Sequence, residues 1–158
     1  MPTPLTVRPA TRADIPVLAA FNAAMAWETE RKRLDPERLA RGIAGPFEQP
    51  GRGRYFVAES GGAVVGCLLV TYEWSDWRDG DWWWIQSVYV AEPARRQGVF
   101  RALYAELERE ARATPGVVGL RLYVEWENER AQGTYLALGM EQCHYHMYER
   151  AFIELAQG

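Results

Sequence analysis

The chain has 158 residues, 18 Lys+Arg against 21 Asp+Glu, a formal net charge of −3, and 48% hydrophobic content. That length predicts a single domain, 1–158, of the size that buries about 70% of the surface its unfolded chain exposes. Average apolar content with little net charge excludes global disorder. The weakly acidic balance, pI about 5.5, argues against nucleic acid as a partner. Cys67 and Cys143 form no CxxC, so neither a zinc ribbon nor a disulfide framework is expected. The opening residues carry Arg8 and Arg12 and no apolar h-region, and the longest apolar stretch, residues 63–70, is far short of a membrane span. A cytoplasmic location with no membrane partner is therefore expected.

In chain order, Leu5–Arg8 reads as a short strand. Thr11–Asp14 fits a capping box, after which Ile15, Leu18, Ala19, Asn22, Met25 and Ala26 recur at helical spacing. Asp35-Pro36 starts a second helix, expected to be short because Gly42, Gly45 and Pro46 interrupt it. Tyr55–Glu59 and Ala63–Tyr72 form a hairpin around Ser60-Gly61-Gly62. A polar, Trp-rich excursion over Glu73–Asp81 leads to a third strand, Trp82–Val90. Val99–Ala113 is an amphipathic helix, with Val99, Leu103, Leu107 and Ala111 on one stripe and Glu108–Arg112 paired outside. A strand over Val117–Glu125, a helix over Asn128–Leu138 and a last strand over Gln142–Phe152 complete an α/β pattern, a mixed sheet with helices on its faces.

The stretch most informative about function follows the third strand. In Ala94-Arg95-Arg96-Gln97-Gly98-Val99-Phe100-Arg101 a strand passes through two arginines and a glycine into a helix start. First-turn N–H groups lack partners inside their helix, and the macrodipole places roughly half a positive charge there, so such a turn binds anions. The bland reading is an ordinary turn with solvated arginines. No G-x-x-x-x-G-K-[ST] and no strand-borne G-x-G-x-x-G occurs, which disfavours a P-loop or a dinucleotide fingerprint and leaves a different diphosphate ligand.

The segment Arg95-Arg96-Gln97-Gly98-Val99-Phe100 resembles the [Q/R]-x-x-G-x-[G/A] pyrophosphate loop of the GNAT family of acyl-CoA-dependent N-acetyltransferases, with Phe100 in place of the small last residue. Downstream, Val124 to Met140 matches Val-x-x-x-Asn-x-x-Ala-x-x-x-Tyr-x-x-x-Gly-[F/M], carried by Val124, Asn128, Ala131, Tyr135, Gly139 and Met140. Two motifs in order identify the chain as similar to this family from about Leu5 to Arg150. The resemblance implies a mixed, mostly antiparallel sheet flanked by about four helices, and acetyl-CoA as cosubstrate with no metal. It also implies a small-molecule amine acceptor and a homodimer as a common assembly.

The resemblance places the pantetheine amides on the backbone of Val88 and Val90, and the thioester oxygen near the Val88 N–H. An oxyanion donor of that kind is worth roughly 3–4 kcal/mol. Arg95, Arg96, Gln97, Gly98, Val99, Phe100 and Arg101 would hold the pyrophosphate, and Asn128 would cap its helix and contact the cofactor arm. Tyr135 becomes the candidate general acid for the leaving thiolate; without the motif it reads as a core tyrosine one turn from Ala131. Thr71-Tyr72 followed by Trp77 resembles a segment of diamine acetyltransferases. Where that branch carries a glutamate, this chain has Gln86, so no base is carried over. Glu73, Asp76, Asp81, Glu125, His144 and His146 remain open as bases.

Five of the seven tryptophans lie within Trp74–Trp84, interleaved with acids. Indole faces attract cations by roughly 0.5–2 kcal/mol. Glu28, Glu73, Asp76, Trp77, Trp84 and Gln86 are thus the candidate acceptor residues, for a small cationic amine such as a polyamine, an amino acid or a lysine side chain. The bland reading puts Trp82 and Trp84 in a core or interface. Two rival functions stand beside acetyl transfer: a non-catalytic acyl-CoA sensor, and a peptide-binding domain using the Trp-rich surface.

Overall fold

The computed structural model describes residues 3–155. Residues up to Arg121, with Leu155, form one compact unit, and Leu122–Glu154 form a second, smaller one. The first contains β1 (Leu5–Pro9), a 3-10 turn (Arg12–Asp14), α1 (Ile15–Glu30), α2 (Pro36–Glu48), β2 (Arg54–Ser60), β3 (Ala63–Ser75), β4 (Gly80–Val90), α3 (Val99–Ala113) and β5 (Val117–Arg121); the second contains α4 (Glu129–Ala137). The sheet order is β1-β2-β3-β4-β5, antiparallel except for the parallel β4–β5 pair.

The capping box forms as read. Asp14 accepts the Thr11 N–H at 2.7 Å and its own N–H bonds the Thr11 carbonyl at 2.9 Å. Asp14 is also buried against Arg8, which donates to both its oxygens at 2.8 and 3.0 Å and to Glu59 on β2 at 2.7 Å. One guanidinium thereby ties β1, the turn and β2 together.

The sheet has two covered faces. Tyr55, Val57, Cys67, Leu69 and Tyr89 pack with Leu18 and Ile43 under α1 and α2. On the other face Gly66 lies against Val99 and Leu103 of α3, and Arg54 bonds Glu110 of α3 while stacking on Phe56 and Trp83. The predicted α3 stripe of Val99, Leu103, Leu107 and Ala111 is buried, and Arg112 reaches Glu108 at 3.0 Å.

Four expectations are corrected. The second helix is not short: α2 runs 13 residues through Gly42, Gly45 and Pro46. Burial of Ile43, with Leu39 and Phe47 packed on the same core, outweighs the roughly 3 kcal/mol a helical proline costs. Glu73–Asp81 is not an excursion but the far end of a long hairpin, in register from Glu73↔Trp82 to Ser75↔Gly80. The strand after α3 ends at Arg121 instead of Glu125, and Gln142–Phe152 forms no strand. Alternation makes a strand only where a neighbouring edge accepts its ladder, and no strand pairs with this segment among the described residues.

Candidate active site

Two features of β4 shape the site. Its parallel pairing with β5 stops at Trp84↔Arg121, while its antiparallel pairing with β3 continues to Gly66↔Val90. Over Ile85–Val90 the ladder is therefore one-sided among the described residues. Within that stretch Leu69 faces Gln86 and Cys67 faces Tyr89, so β4 holds one residue more than β3. This is a β-bulge at Ser87-Val88, with Ser87 at φ 51° in the left-handed region. The Cys67 thiol lies 3.7 Å from the Ser87 carbonyl.

Beyond β4 a 3-10 turn, Glu92–Ala94, leads into the loop. Arg96 (φ 64°) and Gly98 (φ 78°) are both left-handed, and Gly98 is the N-cap of α3. A Cβ built on Gly98 would meet nothing within 4 Å, so the space there is open. The first-turn N–H groups of α3, which no carbonyl of the same helix reaches, lie at this end of the helix, and Arg96 and Arg101, both exposed, flank Gly98 in the sequence. The Phe100 ring lies along α3, 6.1 Å from Tyr104. Gln97 folds back, donating to the Pro93 carbonyl at 3.1 Å.

Arg95 points elsewhere. Its Nε donates to the Val90 carbonyl at 2.9 Å and its terminal nitrogen to both oxygens of Glu28 at 3.2 Å. The guanidinium carbon stands 5.4 Å from the Tyr89 ring centroid. Burial first, and then a hydrogen bond to Glu28, raises the Tyr89 phenol above its usual range. Glu28 and Arg95 line a cavity of about 450 Å³ with Met25, Thr29, Val88, Tyr89 and Val90.

The candidate acceptor residues separate. Register puts Thr71, Glu73, Trp82, Trp84 and Gln86 on the sheet face that α1 covers farther along, and the Gln86 amide donates to the Thr71 hydroxyl at 2.6 Å. Glu73 is neutralised by Arg121, whose guanidinium sits 3.9 Å over Trp82, with Arg78 at 5.0 Å. Trp82 lies flat over Gly119, where any Cβ would come within 2.5 Å of the indole. Asp81 belongs to the opposite face with Trp83. Asp76 and Trp77 sit in the turn at the hairpin tip, Asp76 accepting the Trp77 N–H at 2.9 Å. That tip is about 20 Å along β4 from Gln86. The structure does not bring Asp76 and Trp77 together with Gln86 or Glu28.

Comparison with known proteins bears on what this arrangement is. The family model described as Acetyltransferase (GNAT) family matches residues 18–140. The chain belongs to the GNAT family. It is 30% identical over 129 residues to a mycothiol acetyltransferase of Corynebacterium aurimucosum, a match covering 79% of this chain and 42% of that protein. The chain thus spans about two fifths of that relative's length. It is similar to the crystal structure of a possible acetyltransferase from Clostridium difficile 630, with TM-score 0.87 and 41% identity over 95% of this chain and 99% of that one. An aminoglycoside N-acetyltransferase in complex with CoA matches with TM-score 0.78 at 15% identity, over 97% of this chain and 98% of that one, a likeness of fold alone.

The second motif of this GNAT chain lies in its smaller unit. Asn128 caps α4, its Oδ1 accepting the Ala131 N–H at 3.1 Å. Tyr135 sits in the last turn of α4, half-buried, and burial raises its phenol. Glu125, His144 and His146 are exposed. In the larger unit, Cys67 is buried, which pushes its thiol up to about 12 and makes it no nucleophile. Sequence reasoning missed the Ser87 bulge, for which no glycine or proline gives a signal. It also missed Tyr89, Met25 and Thr29 around the cavity, whose meeting is a tertiary fact. No helix among the described residues is long and apolar enough to cross a membrane.

Proposed function

We propose that this chain transfers the acetyl group of acetyl-CoA to a primary amine of a small acceptor, by direct attack in a ternary complex. The observation that carries the reading is the bulged, one-sided end of β4 leading, through the Glu92–Ala94 turn, to an open anion cradle at Gly98. The cradle fits a diphosphate: a φ of 78° and the absence of a side chain let an anion reach the first-turn N–H groups of α3, with Arg96 and Arg101 adding charge. The β4 backbone at Val88 and Val90 would hold an extended amide-bearing arm. Acetyl-CoA, when bound, supplies an activated thioester. The N–H near Val88 would donate to its oxygen, in the role of an oxyanion hole.

Tyr135 is our candidate for the proton given to the departing thiolate. Its raised phenol stays protonated through the neutral range, as a general acid requires. On the acceptor side, Trp84 with the Gln86–Thr71 pair offers an aromatic and neutral polar surface. Glu28 and Glu73 each already face a guanidinium, so a cationic acceptor such as a polyamine would be met by indole more than by bare carboxylate. The likeness to diamine acetyltransferases supports that class. A single cytoplasmic domain, functioning as a homodimer, completes the proposal.

The test is thiol release from acetyl-CoA across a panel of polyamines, amino acids and aminoglycosides. Turnover with one class identifies the acceptor. Tight acetyl-CoA binding without turnover on any amine would replace the enzyme by an acyl-CoA-binding module.

A further inference from the structure

The residues around the cavity at the end of α1 assign Glu28 a task at the opposite end of the reaction from the one its charge suggests. Arg95 is the first residue of the loop, and its three kinds of contact are all internal: the Val90 carbonyl closing β4, the Glu28 carboxylate near the end of α1, and the face of Tyr89. With its Nε and one terminal nitrogen engaged there, its guanidinium is aimed at α1 and away from the cradle. Tyr89 lines the same cavity as Glu28 and is itself held by Phe21 of α1, the ring centroids 5.1 Å apart. Of the next three residues Arg96 and Gly98 are left-handed, so the loop's course depends on where Arg95 is pinned.

Resting on the proposed function, we infer that Glu28, Tyr89 and Arg95 form a clamp that positions the loop for the nucleotide diphosphate of the acetyl donor. Glu28 is then a positioning residue for the donor and not an anchor for the acceptor. Its pair with Arg95 is partly exposed, 37% and 42% at the two side chains. Exposed pairs contribute little to folding stability, so variants here should fold while the loop loses its fixed start.

The experiment compares two donors, acetyl-CoA and S-acetylpantetheine, which share the thioester arm but differ in the nucleotide diphosphate. Glu28→Gln, Arg95→Gln, the double variant and Tyr89→Phe are assayed after their thermal midpoints are checked. The clamp predicts a rise of about tenfold in the KM for acetyl-CoA with Glu28→Gln. It predicts less than twofold change for S-acetylpantetheine and for the acceptor, and a double variant no worse than either single one. A rise in acceptor KM with both donors would overturn the proposal and return Glu28 to the acceptor. So would unchanged parameters throughout, or additive single effects. If the wild-type protein binds CoA no better than pantetheine in thermal unfolding, the donor reading itself fails and the clamp fails with it; a wild type that prefers CoA, beside variants that do not differ from it, sinks the clamp alone.

Discussion

Asp14 is the buried acid among the described residues. The Arg8 guanidinium holds its carboxyl below the usual carboxylate range, helped by the Thr11 N–H and opposed by burial. A depressed acid stabilises the fold above its unfolded pKa, about 3.9, and that contribution fades as pH falls through the lower folded value. Asp14→Asn should therefore lose about 2 kcal/mol at pH 7, with the gap to wild type narrowing below pH 4. Urea midpoints at pH 7, 4 and 2.5 test this, and a constant gap would contradict it. The two cysteines make a second residue-scale contrast. Cys67 is buried with its thiol pushed up to about 12, and Cys143 is exposed. Iodoacetamide at pH 8 should add one label to the native protein and two to the unfolded one, as read by intact mass.

At the scale of elements, the Trp82 indole meets the guanidinium groups of Arg78 and Arg121 and lies against Gly119 of β5. The close approach requires glycine, so Gly119→Ala should cost about 1–3 kcal/mol and loosen the β4–β5 pair, measured as a drop in denaturant midpoint. Local signals were legible where the chemistry is local: Thr11–Asp14, Asp35-Pro36, Gly61-Gly62 and the α3 stripe each carry their own instructions. They failed where tertiary burial overrode them. Ile43 keeps α2 helical through Pro46, and the hairpin register extends strands into Glu73–Asp81. Strict alternation from Trp83 and Ile85 would also place Tyr89 on the α3 face. The bulge shifts the parity and puts it beside Leu18 and Phe21 instead.

For the whole molecule, the loop and the Asn128–Tyr135 motif were readable because backbone conformation at Gly98 and helix capping at Asn128 demand those residue types. The acceptor set was not, because charge and aromaticity along the chain say nothing of which carboxylate will meet which guanidinium. Arg95 took Glu28, Arg121 took Glu73, and the hairpin carried Asp76 and Trp77 away from both. Donor binding should be visible globally: acetyl-CoA at 100 times its Kd stabilises by about 2.7 kcal/mol. For a chain of this size that raises the thermal midpoint by about 5–11 °C, with ATP as the control that should not.

The extra residue at Ser87 carries a last consequence. Removing it would leave Gln86 opposite Leu69, Val88 opposite Leu68 and Tyr89 opposite Cys67, with Tyr89 on the face it already occupies. What vanishes is the kink in the strand, a serine held at φ 51° and the carbonyl that the Cys67 thiol meets at 3.7 Å. A one-codon deletion there should fold as well as the parent, or better by about 1 kcal/mol, and yet fail to take up acetyl-CoA. Such a lesion would pass a screen for melting temperature, because in this strand one residue is devoted to direction and its removal costs a single weak thiol contact.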